Sequence, residues 1–186
     1  MANLCDTEYK FFGDIGEIKD LYDKIREIQA ITKKDYVSIP FSVVAEFFNL
    51  DGEIDLRGNI YNYTLLENSV LWLSMSTAWH ENSAFWDKVI APYKNISYYY
   101  RAEECGCDYF YNSDPTGEYF PELYYIDQCD HDCGYATDDD ELFDDIAKRL
   151  DVEKIESFEQ LDELLEAYNE ENEDTAIYYH KFSEPN

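Results

Sequence analysis

Seventeen of the 37 residues from 138 to 174 are Asp or Glu, and only three are Lys or Arg. Self-repulsion on this scale rules out burying the polar positions of the segment, so it folds only as surface elements that turn one narrow apolar stripe inward. Two such stripes are present. Leu142, Phe143, Ile146 and Leu150 recur at helical spacing behind Thr137, a candidate N-cap. Phe158, Leu161, Leu164, Leu165 and Tyr168 do so behind Ser157 and Gln160, a capping-box pair. The pattern predicts two amphipathic helices with fixed rows of carboxylates: Asp138, Asp139, Asp140, Glu141, Asp144 and Asp145 on the first, and Glu159, Asp162, Glu163 and Glu166 on the second.

The rest of the chain is built differently. Residues 1–94 carry 15 acids and 9 bases, whereas residues 95–186 carry 27 acids and 5 bases, so most of the formal charge of −28 sits in the second half. With 45% apolar and 17% aromatic residues the chain nevertheless has ample material for a core. A length of 186 residues suits one domain, read here as a 1–130 part followed by an acidic 131–186 extension of two helices and a strand.

Alternation of Cys5, Thr7, Tyr9 and Phe11 with polar residues predicts a strand over 4–12. Asp14 and Glu17 then open a helix whose inner face is Ile18, Leu21, Tyr22, Ile25 and Ile28. From 31 to 68 neither period persists, so only a short helix near 41–49 is expected there. A buried strand follows at 69–79 and a helix near 82–91, stopped by Pro92. Strands are expected at 95–104, 107–112 and 118–127, the last two joined as a hairpin through "SDPTG", and a final strand at 175–182. This order predicts an α+β fold: a ferredoxin-like two-layer sandwich with a mainly antiparallel sheet and an acidic helical C-terminal extension.

The chemistry-bearing motifs are few. Cys105, Cys107, Cys129 and Cys133 around His131 contain zinc-ligand chemistry, but not the C-x2-C halves of a zinc ribbon; they read as reduced thiols, and no metal or cofactor is expected. There is no nucleophile elbow, no paired metal-binding histidines and no phosphate loop, so no enzymatic activity is expected. The eighteen tyrosines offer a second binding surface, with Tyr99 and Tyr124 its candidate anchors. No leader and no long apolar run are present, which places the expected site of action in the cytoplasm.

Two segments, "MANLCDTEYKFFGDIGEIKDLYDKI" and "LWLSMSTAWHENSAFWDKVIAPYKNISYYYRAEECGCDYF", resemble the plasmid- and phage-borne YubB/Api-like proteins. The first is similar to that family's Met-x-Asn-x-Cys start, strand, Gly and helix. The second is similar to its strand ending in Thr77-Ala78-Trp79, its helix and strand, and its Glu104-x-Gly106 turn. The chain departs where the family has Ser-Pro-Pro after Thr-Ala-Trp: here His80, Glu81 and Asn82 stand. The resemblance implies a ferredoxin-like fold and a home on mobile elements, and assigns no reaction.

Duplex DNA carries one charge per ~1.7 Å, so 28 charges correspond to roughly 48 Å of duplex. A folded chain of this length spans roughly 40–45 Å. These linear densities match, which gives the expected function: a non-enzymatic acidic inhibitor from a mobile element. Its partner would be a basic nucleic-acid-binding host-defence protein, a CRISPR effector or restriction enzyme, bound by nucleic-acid mimicry without contact to nucleic acid or membrane. The alternative is a small ferredoxin-like module that binds protein through its tyrosine-rich strands, with the acids as a solvated face.

Overall fold

Strand β1 (Leu4–Gly13) shows the period-2 pattern directly: Cys5, Thr7, Tyr9 and Phe11 are buried and their neighbours are not. The computed structural model to which it belongs describes residues 3–32, 38–128 and 133–183. Gly13 ends the strand at φ +137°, where an added Cβ would lie 1.8 Å from the Asn95 carbonyl oxygen. Only glycine permits that approach. Asp14 then accepts from the Glu17 amide at 3.0 Å and caps α1 (Ile15–Ile31), which buries Ile18, Leu21, Ile25 and Ile28.

The chain continues through β2 (Ile39–Pro40), α2 (Phe41–Phe47), β3 (Gly58–Leu65), β4 (Leu71–Ala78), α3 (Ser83–Ile90), β5 (Ile96–Glu104) and β6 (Tyr109–Asn112). These strands form one sheet in the order β2-β3-β4-β1-β5-β6, every pair antiparallel. The opening strand is thus central. Within 31–68, where only a short helix is expected, β2 and β3 also form. A register shift between Ile60 and Asn62 flips the alternation of β3 partway along and hides the strand period.

The inner face of this sheet packs with α1, α2 and α3 around Tyr9, Phe11, Phe41, Phe85 and Trp86. Phe41 stacks on Phe85 with centroids 4.1 Å apart, and Trp86 donates its indole N–H to the Met75 sulfur at 3.3 Å. All three tryptophans, Trp72, Trp79 and Trp86, lie in this part of the chain.

The chain divides into two compact units, Met1–Asp114 and Pro115–Asn186. The second contains β7 (Tyr124–Gln128), β8 (Gly134–Ala136), α4 (Asp139–Leu150), α5 (Phe158–Glu171) and β9 (Ile177–Lys181), with the three strands in the antiparallel order β8-β7-β9. The expected hairpin between 107–112 and 118–127 does not form. Pro115 and Pro121 have no amide to donate, and β7 instead pairs with β8 and β9. The division between the units falls after residue 114. Both helices bury their stripes, Leu142 and Ile146 with Leu161 and Leu165, against Tyr124, Ile126 and Ile177.

Candidate functional site

The second unit holds 23 acids and 4 bases, and the ten acids expected to form a surface array fall into two groups. The first group is tied into the fold. Asp138 caps α4 by accepting from the Glu141 amide at 2.8 Å. Glu141 in turn accepts from the Thr137 amide and hydroxyl, each at 2.7 Å, and these bonds hold its carboxyl below the usual range. Asp138 is therefore the cap in place of Thr137, and Glu141 reaches back to the residue before the cap.

Asp139 accepts from the Tyr124 hydroxyl at 2.6 Å, and Asp162 from the Tyr179 hydroxyl at 2.9 Å. Asp145 accepts from Arg149 Nε at 2.6 Å while Arg149 Nη1 reaches Gln128 at 2.9 Å, so this ion pair also fastens α4 to β7.

The second group, Asp140, Asp144, Glu159, Glu163 and Glu166, is exposed and makes no hydrogen bond or ion pair with another described residue. On α5 the arrangement is regular. At 100° per residue, Glu159, Asp162, Glu163, Glu166 and Glu170 lie within an arc of roughly 100°, opposite the buried Leu161 and Leu165. The span from 159 to 170 is ~16 Å at 1.5 Å per residue, an average of one carboxylate per ~4 Å of helix axis. Ser157 caps this helix by accepting from the Gln160 amide at 3.2 Å, and Gln160 accepts in return from the Glu156 amide at 2.8 Å. The first turn of the stripe is thereby fixed.

The two tyrosine anchors differ in placement. Tyr124 is 2% exposed and uses its hydroxyl on Asp139; its place in β7, facing the helices, makes it a core residue. Tyr99 is half-buried, with its ring 5.2 Å from that of Phe12.

Cys105 and Cys107 are exposed in a 3₁₀ turn, Cys105–Cys107, of the first unit. Asn3 donates to the Cys107 sulfur at 3.3 Å, and the neighbouring Glu104 raises that thiol's pKa. Cys133 is exposed in the second unit, while Cys129 and His131 lie outside the described residues. Among the described residues no three His, Cys, Asp or Glu side chains gather as metal ligands, and no helix is long and apolar enough to cross a membrane.

One constellation escaped the sequence reading. Glu81 is 9% exposed and accepts from the hydroxyls of Tyr109 and, at 2.9 Å, Ser83; its own carbonyl accepts from Tyr9 at 3.1 Å. These bonds brace a loop in which Trp79 and Asn82 adopt φ of +75° and +59°, conformations that cost a non-glycine residue energy. Asn82 adds a bond from its side chain to the Asp55 carbonyl at 2.8 Å. The carboxylate is occupied by its donors, and its role is to hold the loop. Its signal in the sequence is isolation: Glu81 is the one acid between Glu67 and Asp87.

No family model, no curated protein and no solved structure matches this chain.

Proposed function

We propose that the chain is a non-enzymatic acidic inhibitor, encoded by a mobile element, that occupies the basic nucleic-acid channel of a host-defence protein such as a CRISPR effector or restriction enzyme. The stripe on α5 carries this reading. Its five carboxylates, of which Asp162 also accepts from Tyr179, average one per ~4 Å of helix axis, close to the ~3.4 Å of duplex axis per phosphate on one DNA strand. The opposite side of the helix is anchored in a core, so the row is held in place before binding, and ordering it costs little. Asp140 and Asp144, one turn apart on α4, extend the unpaired charge.

The first unit supports an accompanying reading of fold and origin. Its inner strands run in the order β3-β4-β1-β5, with α1 between β1 and β3 in the chain and α3 between β4 and β5. This order supports reading the unit as a ferredoxin-like sandwich with a split βαβ arrangement, the fold that the resemblance to the YubB/Api-like proteins implies.

Purified RNA-guided nucleases and restriction enzymes, assayed for DNA cleavage with the protein present, test the proposal. Inhibition of one of them should weaken steeply with salt and be abolished by the combined change Glu159→Lys, Glu163→Lys and Glu166→Lys. Inhibition unaltered by these three changes would overturn it.

A further inference from the structure

A cleft of about 390 Å³ opens in the first unit, walled by Leu4, Pro40, Leu56, Tyr61 and Ala78. This volume lies in the range of small-molecule sites, which are mostly apolar with a few convergent polar groups. Three of the walls are large side chains left in water, Leu4 at 66%, Leu56 at 42% and Tyr61 at 47% exposure. Arg57 is the one formally charged residue of the lining. In a chain of 42 acids and 14 bases, this lining contains a guanidinium and no carboxylate; the Asp55 carboxylate that pairs with Arg57 stands outside it.

The guanidinium is also fixed in place. Asp55 accepts from the Arg57 amide and Nε, each at 2.9 Å, and from Nη2 at 2.6 Å. The main chain of Arg57 accepts from the Ala78 amide at 3.1 Å, and Asn82 holds the Asp55 carbonyl. With Nε and Nη2 engaged, Nη1 has no hydrogen bond to any described residue, although the side chain is 62% exposed. A planar donor pre-set in this way loses little freedom on meeting a carboxylate or sulfonate, and the apolar walls beside it suit an alkyl or aryl body.

We propose that this cleft is a binding site for a small amphipathic anion, an alkyl or aryl carboxylate or sulfonate, with its head on Arg57 Nη1 and its body along Leu4, Leu56 and Tyr61. The proposal is independent of the acidic stripe.

Titration of the full chain with decanoate, read by amide shifts in two-dimensional NMR, tests it, with the neutral decanol as control and anilinonaphthalene sulfonate as a fluorescent competitor. Saturable one-to-one binding is expected, with shifts at Gly58, Asn59 and Thr77 and displacement of the sulfonate by decanoate. Arg57→Gln should weaken decanoate about five- to tenfold and leave decanol unchanged. Tyr61→Ser should weaken both, and circular dichroism verifies that each variant folds. Absence of saturable binding, equal loss of decanoate and decanol in Arg57→Gln, or shifts confined to other residues would each overturn the proposal.

Discussion

Tyr109 donates its phenolic proton to the carboxylate of Glu81, and this bond joins the edge strand β6 to the turn that leads into α3. Glu81→Ala should cost about 2–3 kcal/mol, because it strips a nearly buried acceptor from both Tyr109 and Ser83. Glu81→Gln keeps an acceptor and should cost less than half as much. Urea unfolding followed by circular dichroism measures both; an alanine variant within about 0.5 kcal/mol of the parent would show that the bond adds no net stability.

Alkaline pH should unfold the protein through its tyrosines. Burial, then donation to Asp162, pushes the Tyr179 phenol up to about 12, and burial first raises Tyr98, Tyr100, Tyr109 and Tyr124 beyond their ordinary range. The folded chain thus holds these protons more tightly than the unfolded one, whose phenols titrate near ~10. Their contribution to stability is complete below about pH 10 and is lost as the pH climbs through 12 and beyond. Tyrosinate absorbance should rise together with loss of ellipticity, and ionisation of most tyrosines near pH 10 with the fold intact would contradict this.

The stripe on α5 should oppose folding. Glu163 has Glu159 four residues before it and Glu166 three after, and each like-charged pair costs about 0.2–0.5 kcal/mol. Glu163→Gln should therefore raise the melting temperature at low ionic strength. The gain should vanish at ~1 M salt, where the Debye length falls to ~3 Å. A melting temperature unchanged at low salt would place the carboxylates further apart than the helix geometry implies.

Gly13→Ala should cost about 3 kcal/mol or more, because the new methyl group meets the Asn95 carbonyl at 1.8 Å and the φ of +137° is closed to alanine. Thermal melts of this variant against Gly16→Ala separate the effect from helix propensity, since Gly16 has an ordinary φ and only the Asp14 side chain nearby, at 3.2 Å. Equal melting temperatures for the two variants would refute the close approach.

Elements with an unbroken period were legible in the sequence. The alternation of β1, the capping pairs Asp14/Glu17 and Ser157/Gln160, and the stripes of α1 and α5 depend on residues close in the chain, and the structure keeps them. What could not be read depends on distant partners. The bulge after Ile60 concealed β3, and the pairing of Tyr124 with Lys181 and of Tyr125 with His180 took β7 from the hairpin its turn residues suggested. The acidic stripe was visible as composition and spacing. That Asp139, Asp145 and Asp162 are committed to Tyr124, Arg149 and Tyr179 was not, since each partner is chosen by tertiary packing or by a competition among many neighbouring acids.

The confinement of Trp72, Trp79 and Trp86 to residues before Pro115 divides the molecule optically. Indole emission reports the first unit alone, and the buried Trp86 against the Met75 sulfur is its most sensitive gauge. The acidic second unit is dark at those wavelengths and is seen only through tyrosine and backbone signals. A denaturation curve drawn from indole emission is therefore blind to the unit that carries the stripe. Divergence between emission and ellipticity would mark the two units melting as separate bodies.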